Sequence, residues 1–228
     1  MKNVLLALLI GFSVSTFAQE KDANTLKNEG NAAYKAKDYA GAFDAYAKAL
    51  KLLDTEGTVD EALTYNAGYC AYKAKKYSDA LPYFQKSMEL GYKESKPYQM
   101  VAVIQYKQGD IDNMIETCTK GLEKYADDAK LKDYASKAYL KKGLGFYKAG
   151  NSIKKAANES GLNESDPDKF LAEYAKADEE FKKALPLIEK SYDFNNKNEK
   201  TLKALGNIYT NLKMNDKAAK TKTELEAL

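Results

Sequence analysis

One short string constrains the fold of this chain because it recurs: Tyr-Lys-Ala-Lys at Tyr34 returns at Tyr72, as Tyr-Lys-Gln-Gly at Tyr106 and as Tyr-Lys-Ala-Gly at Tyr147. Each copy carries a small residue four positions earlier, at Gly30, Gly68, Ala102 and Gly143. In the first three copies a second segment follows, with small, aromatic and apolar residues spaced by four and three: Ala42, Tyr46 and Ala49; Ala80, Phe84 and Ser87; Met114, Cys118 and Gly121. That spacing keeps each trio on one helical face. The pattern predicts helix pairs joined by the recurring turn. Gly68 to Ala102 is 34 residues, Gly30 to Gly68 is 38 and Ala102 to Gly143 is 41, so the extra residues fall between units. A period of this size means stacked units, none of which can bury its apolar face alone.

With these small and aromatic positions, the chain resembles the tetratricopeptide repeat, a helix-turn-helix unit of 34 residues, from Leu26 to the C-terminus. Gly206-Asn207-Ile208-Tyr209 opens a fifth copy, with Ala218 and Leu225 on its second helix. The resemblance implies an all-α, right-handed solenoid of about five helix pairs. The fourth copy departs from the rest: Gly68 to Ala80 is 12 residues, but Gly143 to the equivalent Ala184 is 41, an excess of 29. These extra residues, about 152–180, are expected to form a helical insertion. Asp166 and Pro167 mark the N-cap and first position of a helix. A long antiparallel hairpin is therefore predicted, its tip near Gly161–Ser165, with a seam of Phe170, Tyr174, Ala177, Phe181, Leu185, Ile188 and Tyr192 facing Tyr139, Gly143, Phe146, Gly150, Ile153 and Ala157.

Residues 1–18 have one charge at Lys2, an apolar run from Val4 to Val14 and the small-residue ending Thr16-Phe17-Ala18. This is the pattern of a secretory signal peptide. Cleavage is expected after Ala18, leaving a short arm over 19–25 and the repeat domain over 26–228, in the periplasm or secreted. An oxidising compartment raises the question of a disulfide between Cys70 and Cys118. Both fall at core-facing positions in different helix pairs, which favours two buried thiols.

The chain has no His and no Trp, and its 36 basic residues are all Lys against 33 acidic ones, a net charge of +3. Without His, serine and cysteine triads and the common zinc sites are excluded. Without Arg there is no planar fork for phosphate or guanine, which makes nucleic acid a poor partner. Asp127-Asp128 and Asp166-Pro167-Asp168 are expected as turn and cap residues rather than a metal site. The expectation is a protein with no catalytic residues, metal or cofactor and no stable membrane insertion.

The first helix of each pair in such an array lines a concave surface, so protein or peptide binding is the expected function. The groove candidates are Lys27, Asn31, Tyr34, Tyr65, Asn66, Tyr69, Tyr72, Lys96, Met100, Tyr106, Lys107 and Tyr147. Tyrosine offers rigid contact area with a polar tip, and lysine offers charge to an acidic partner. Lys27, Asn31, Asn66 and Lys96 also resemble the carboxylate clamp of tetratricopeptide co-chaperones, which implies an acidic or free C-terminal tail as ligand. A fifth clamp position, normally basic, is Met100 here. Self-association through the inserted hairpin is the alternative.

Overall fold

The computed structural model describes residues 21–228; the expected leader lies outside the described residues. Among the described residues eleven helices follow one another: α1 (Ala23–Lys35), α2 (Tyr39–Thr55), α3 (Glu61–Lys73), α4 (Tyr77–Glu89), α5 (Lys96–Gln108), α6 (Ile111–Lys124), α7 (Ala129–Glu159), α8 (Leu162–Ser165), α9 (Pro167–Phe194), α10 (Glu199–Asn211) and α11 (Asn215–Glu226). Among the described residues there is no strand. Each helix packs on its neighbours in the chain, giving the pairs α1–α2, α3–α4, α5–α6, α7–α9 and α10–α11. This is an all-α solenoid. Asp22 accepts from the Thr25 N–H at 2.6 Å and starts α1 at Ala23, within the span expected as an arm.

Local chemistry explains the boundaries. Asp38, Asp60, Asp110, Asp128, Asp166 and Asn198 each accept a hydrogen bond from a backbone N–H in the first turn of the helix they precede, satisfying donors that have no partner inside the helix. The turn within a pair repeats as well. Lys37, Lys75, Gly109 and Lys213, each seven residues after the small position of its first helix, take left-handed backbone with φ of 62°, 62°, 79° and 60°. At the equivalent place in the fourth pair Gly150 stays helical, and α7 runs on for 31 residues, about 45 Å.

The small residues set how closely helices approach. A Cβ on Gly30 would lie 2.4 Å from the Tyr46 ring, on Gly68 3.1 Å from the Tyr83 Cβ, and on Gly143 2.5 Å from the Ile188 Cδ1. Between α7 and α9 the contacts run antiparallel: Tyr139 stacks on Phe194 at 5.9 Å, Gly150 faces the Phe181 ring, and Asn158 accepts from the Tyr174 hydroxyl at 2.6 Å. The buried seam of α9 differs in part from the expected one. Ala177, Phe181, Ala184, Ile188 and Ser191 are buried, while Leu185 and Tyr192 are half-buried against the same core. Tyr192 donates to Glu224 at 2.9 Å, and Ser191 bonds both Ser136 and Thr201, at 3.0 and 2.9 Å, tying α7, α9 and α10 together.

Cys70 lies in α3 and Cys118 in α6, both fully buried and in separate parts of the core. Burial pushes their thiols up to about 11 and about 12. Neither is expected to react with a thiol reagent at about pH 8 in the native state, and both should react in denaturant, as mass spectrometry of the alkylated chain would report. Labelling of the folded chain would contradict this packing.

Candidate protein-binding groove

The small residues of α1, α3 and α7 are spent on contact with the second helix of their own pair, which leaves other surfaces of the first helices for solvent or a partner. The tyrosines of the repeated string, four residues after the small ones, lie at the margin of that contact. Tyr34 on α1 and Tyr106 on α5 are 43% and 45% exposed. Tyr69, Tyr72 and Tyr147 are half-buried. Tyr34 lies 6.4 Å from Tyr69, Tyr72 lies 5.7 Å from Tyr77, and Tyr147 leans on Phe181 at 5.9 Å. Lysines cross between pairs: Lys73 sits over Tyr39 at 5.3 Å, Lys107 over Tyr77 at 5.5 Å and Lys141 over Tyr106 at 4.7 Å.

Other candidates are placed differently. Tyr65 is buried, edge-on to Phe84 at 5.4 Å and covered by Tyr92, with the Lys93 ammonium 4.2 Å above its ring. It is a core residue, closed off by the connection between α4 and α5. Met100 is half-buried and packs on the same core. Two residues of the clamp set are engaged within the chain: the Lys27 ammonium pairs with Asp60 at 2.5 Å, and Asn31 accepts from the Tyr46 hydroxyl at 2.8 Å. Asn66 and Lys96 are exposed and make no side-chain hydrogen bond or ion pair among the described residues.

A depression of about 710 Å³ opens between α5, α7 and the start of α10. Tyr106, Leu140, Lys141, Leu144, Gly145, Lys148 and Lys200 line it. A second, of about 650 Å³, belongs to the α1–α2 pair alone.

Neither a protein-family model nor a curated protein matches the chain. Solved structures do. MamA protein is 15% identical over 89% of each chain with a TM-score of 0.51, and a double mutant of MamA RS-1 is 13% identical over 91% of this chain and 94% of its own with a TM-score of 0.50. A TPR repeats protein from Bacteroides fragilis is 25% identical over 84% of this chain and 99% of its own, with a TM-score of 0.45. Five helix pairs carrying the repeated small residues among the described residues, on a backbone shared with MamA, decide the matter. This is the tetratricopeptide-repeat fold.

The depression between α5, α7 and α10 lies where first helices of successive repeats meet. Sequence reasoning passed over Lys141, Gly145, Lys148 and Lys200 there. It also missed Asp60, which both caps α3 and holds Lys27. Among the described residues no group of three or more acidic or thiol side chains is placed to hold a metal, and Asp128 and Asp166 act as caps. No described helix is long and apolar enough to cross a membrane.

Burial pushes the Asp60 carboxyl up, but the hydrogen bonds from Lys27 and from the Leu63 N–H outweigh it and hold the group below its ordinary 3.8. A depressed carboxylate contributes stability above its unfolded pKa, and the contribution is lost as pH falls through the folded value. Asp60→Asn keeps the cap, because Asn caps helices as well as Asp. The variant is therefore expected to melt lower than wild type at neutral pH, and the gap should narrow as pH drops below about 4. Parallel melting curves across that range would show that the Lys27–Asp60 pair contributes nothing.

Proposed function

We propose that this chain is a non-catalytic adaptor of the bacterial cell envelope, exported by the leader at Met1–Ala18 and holding a segment of another protein in its concave groove. One observation carries the binding role: Tyr34 and Tyr106 stand 43% and 45% exposed on first helices of an array whose other large apolar side chains are mostly inside. Rigid aromatic side chains at this exposure gain contact area on binding at low entropic cost. The periplasmic or secreted location rests on the leader pattern alone. The partner segment is an acidic stretch or a free C-terminal tail, since the cations offered are lysines.

Capture from cross-linked envelope extracts tests this, with wild type beside a Tyr34→Ala, Tyr106→Ala double variant. A specific partner lost in the double variant is the expected result, together with an N-terminus at Gln19 in protein recovered from the envelope. A partner held equally by both would contradict groove binding. A second reading, self-association, is favoured by one feature: Leu171 on α9 is 63% exposed beside the Phe170–Tyr174 pair, whose rings lie 4.6 Å apart. Light scattering of wild type and Leu171→Asp decides it, a monomer in both cases removing the dimer.

A further inference from the structure

Glycine inside a helix costs about 1 kcal/mol relative to alanine, so each one needs a reason. For Gly30, Gly68, Gly121, Gly143 and Gly150 the reason is internal, because an added Cβ would come within 3.1 Å of a packed side chain. Gly145, in the middle of α7, has no such neighbour: a Cβ there would meet nothing within 4 Å. Gly206 also has room, with Thr221 at 3.8 Å, but it faces α11 at the end of the array. Gly145 instead lines the groove depression. An exposed helix surface without a side chain lets an outside chain come close to the backbone.

The surroundings specify what that chain carries. Leu144 is half-buried and Leu140 buried at the same spot, an apolar seat for one anchor side chain. Lys141, Lys148 and Lys200 surround it and make no ion pair among the described residues. The single acidic lining residue, Glu199, is already held by Lys203. Lys141 lies over the Tyr106 ring, so the aromatic wall and the positive rim are continuous.

We infer that the groove between α5, α7 and α10 binds an acidic protein segment bearing an apolar anchor, laid over Gly145 with its carboxylates on Lys141, Lys148 and Lys200. The inference rests on the groove-binding function proposed above and moves the main contact from the Lys27–Lys96 end to the third, fourth and fifth repeats. Its anchor fills the Leu140–Leu144 seat, and the lysines draw in and orient the acidic flanks.

A random peptide display library selected on the purified full chain tests it, followed by fluorescence anisotropy of the enriched peptide. Enrichment of acidic sequences with one aromatic or branched apolar residue is expected, with binding that weakens as salt rises. Gly145→Leu projects a side chain into the depression and should weaken that peptide by at least about tenfold. Gly145→Ala should weaken it less while leaving the melting temperature equal to or above wild type, a combination no structural role for Gly145 would produce. Lys141→Gln with Lys148→Gln, both on the surface, should weaken binding and flatten its salt dependence. Enriched peptides that bind all these variants as they bind wild type, but are lost in Tyr34→Ala, would overturn this site and leave groove binding standing. Neutral or basic enriched sequences would overturn the assigned chemistry. No retained peptide at all would overturn both.

Discussion

Phe181→Ala is expected to lower the free energy of unfolding by about 3–5 kcal/mol. The ring is fully buried between α7 and α9, with Gly150 against its edge and Tyr147 at 5.9 Å. Truncation removes the transfer term and leaves a cavity, because the helix backbone at Gly150 cannot fold inward to fill it. It also strips one face from the half-buried Lys154 ammonium, which sits 5.1 Å from the Phe181 ring and reaches Asp178 at 3.2 Å and Asn211 at 3.1 Å. Lys154 joins α7 to both α9 and α10, so the last repeat should loosen with the hairpin. Denaturant unfolding measures the loss, and hydrogen exchange should show α7, α9 and α10 opening first. A loss under about 1 kcal/mol would mean that the two long helices do not depend on this contact.

A comparable loss, again about 3–5 kcal/mol, is expected for Phe84→Ala in the second repeat. Its ring is fully buried, lies edge-on to Tyr65 at 5.4 Å and would be 3.3 Å from a Cβ on Gly68. Here the loosened elements should be α3, α4 and α5, with Tyr65 freed to reach solvent. The two phenylalanines belong to different core clusters and share no neighbour, so their effects should add to within about 0.5 kcal/mol as long as unfolding stays two-state. In a solenoid each unit contacts only the next ones, so the regions of raised exchange should stay distinct. Exchange that rises uniformly in either variant would contradict that modular behaviour.

The repeat register is legible in the sequence because close helix contact demands small residues at fixed places: Gly30, Gly68 and Gly143 meet Tyr46, Tyr83 with Phe84, and Ile188 with no room for a Cβ. Helix starts are legible for a local reason, since Asp and Asn caps act within three residues. The groove is harder to read. Tyr65 looks like its neighbours Tyr69 and Tyr72 in the sequence, but the α4–α5 connection folds Tyr92 and Lys93 over it, and no periodicity describes that segment. The Lys27–Asp60 pair spans 33 residues between consecutive repeats, and Asp60 is conspicuous only as a cap. Gly145 did carry a signal. Gly143 belongs to the repeat and Gly150 to the seam of α7, whereas Gly145 has no place in either pattern.

The most direct test of groove binding is photo-crosslinking in the intact cell, with a photoreactive residue in place of Tyr106 in the groove or of Lys86 on the second helix of repeat two. Both sites are exposed, and Lys86 makes only a local pair with Glu89. The expected result is a discrete adduct with one partner from Tyr106, its attachment point in an acidic segment by mass spectrometry, and none from Lys86. Adducts from Lys86 alone, or the same diffuse pattern from both positions, would contradict groove binding.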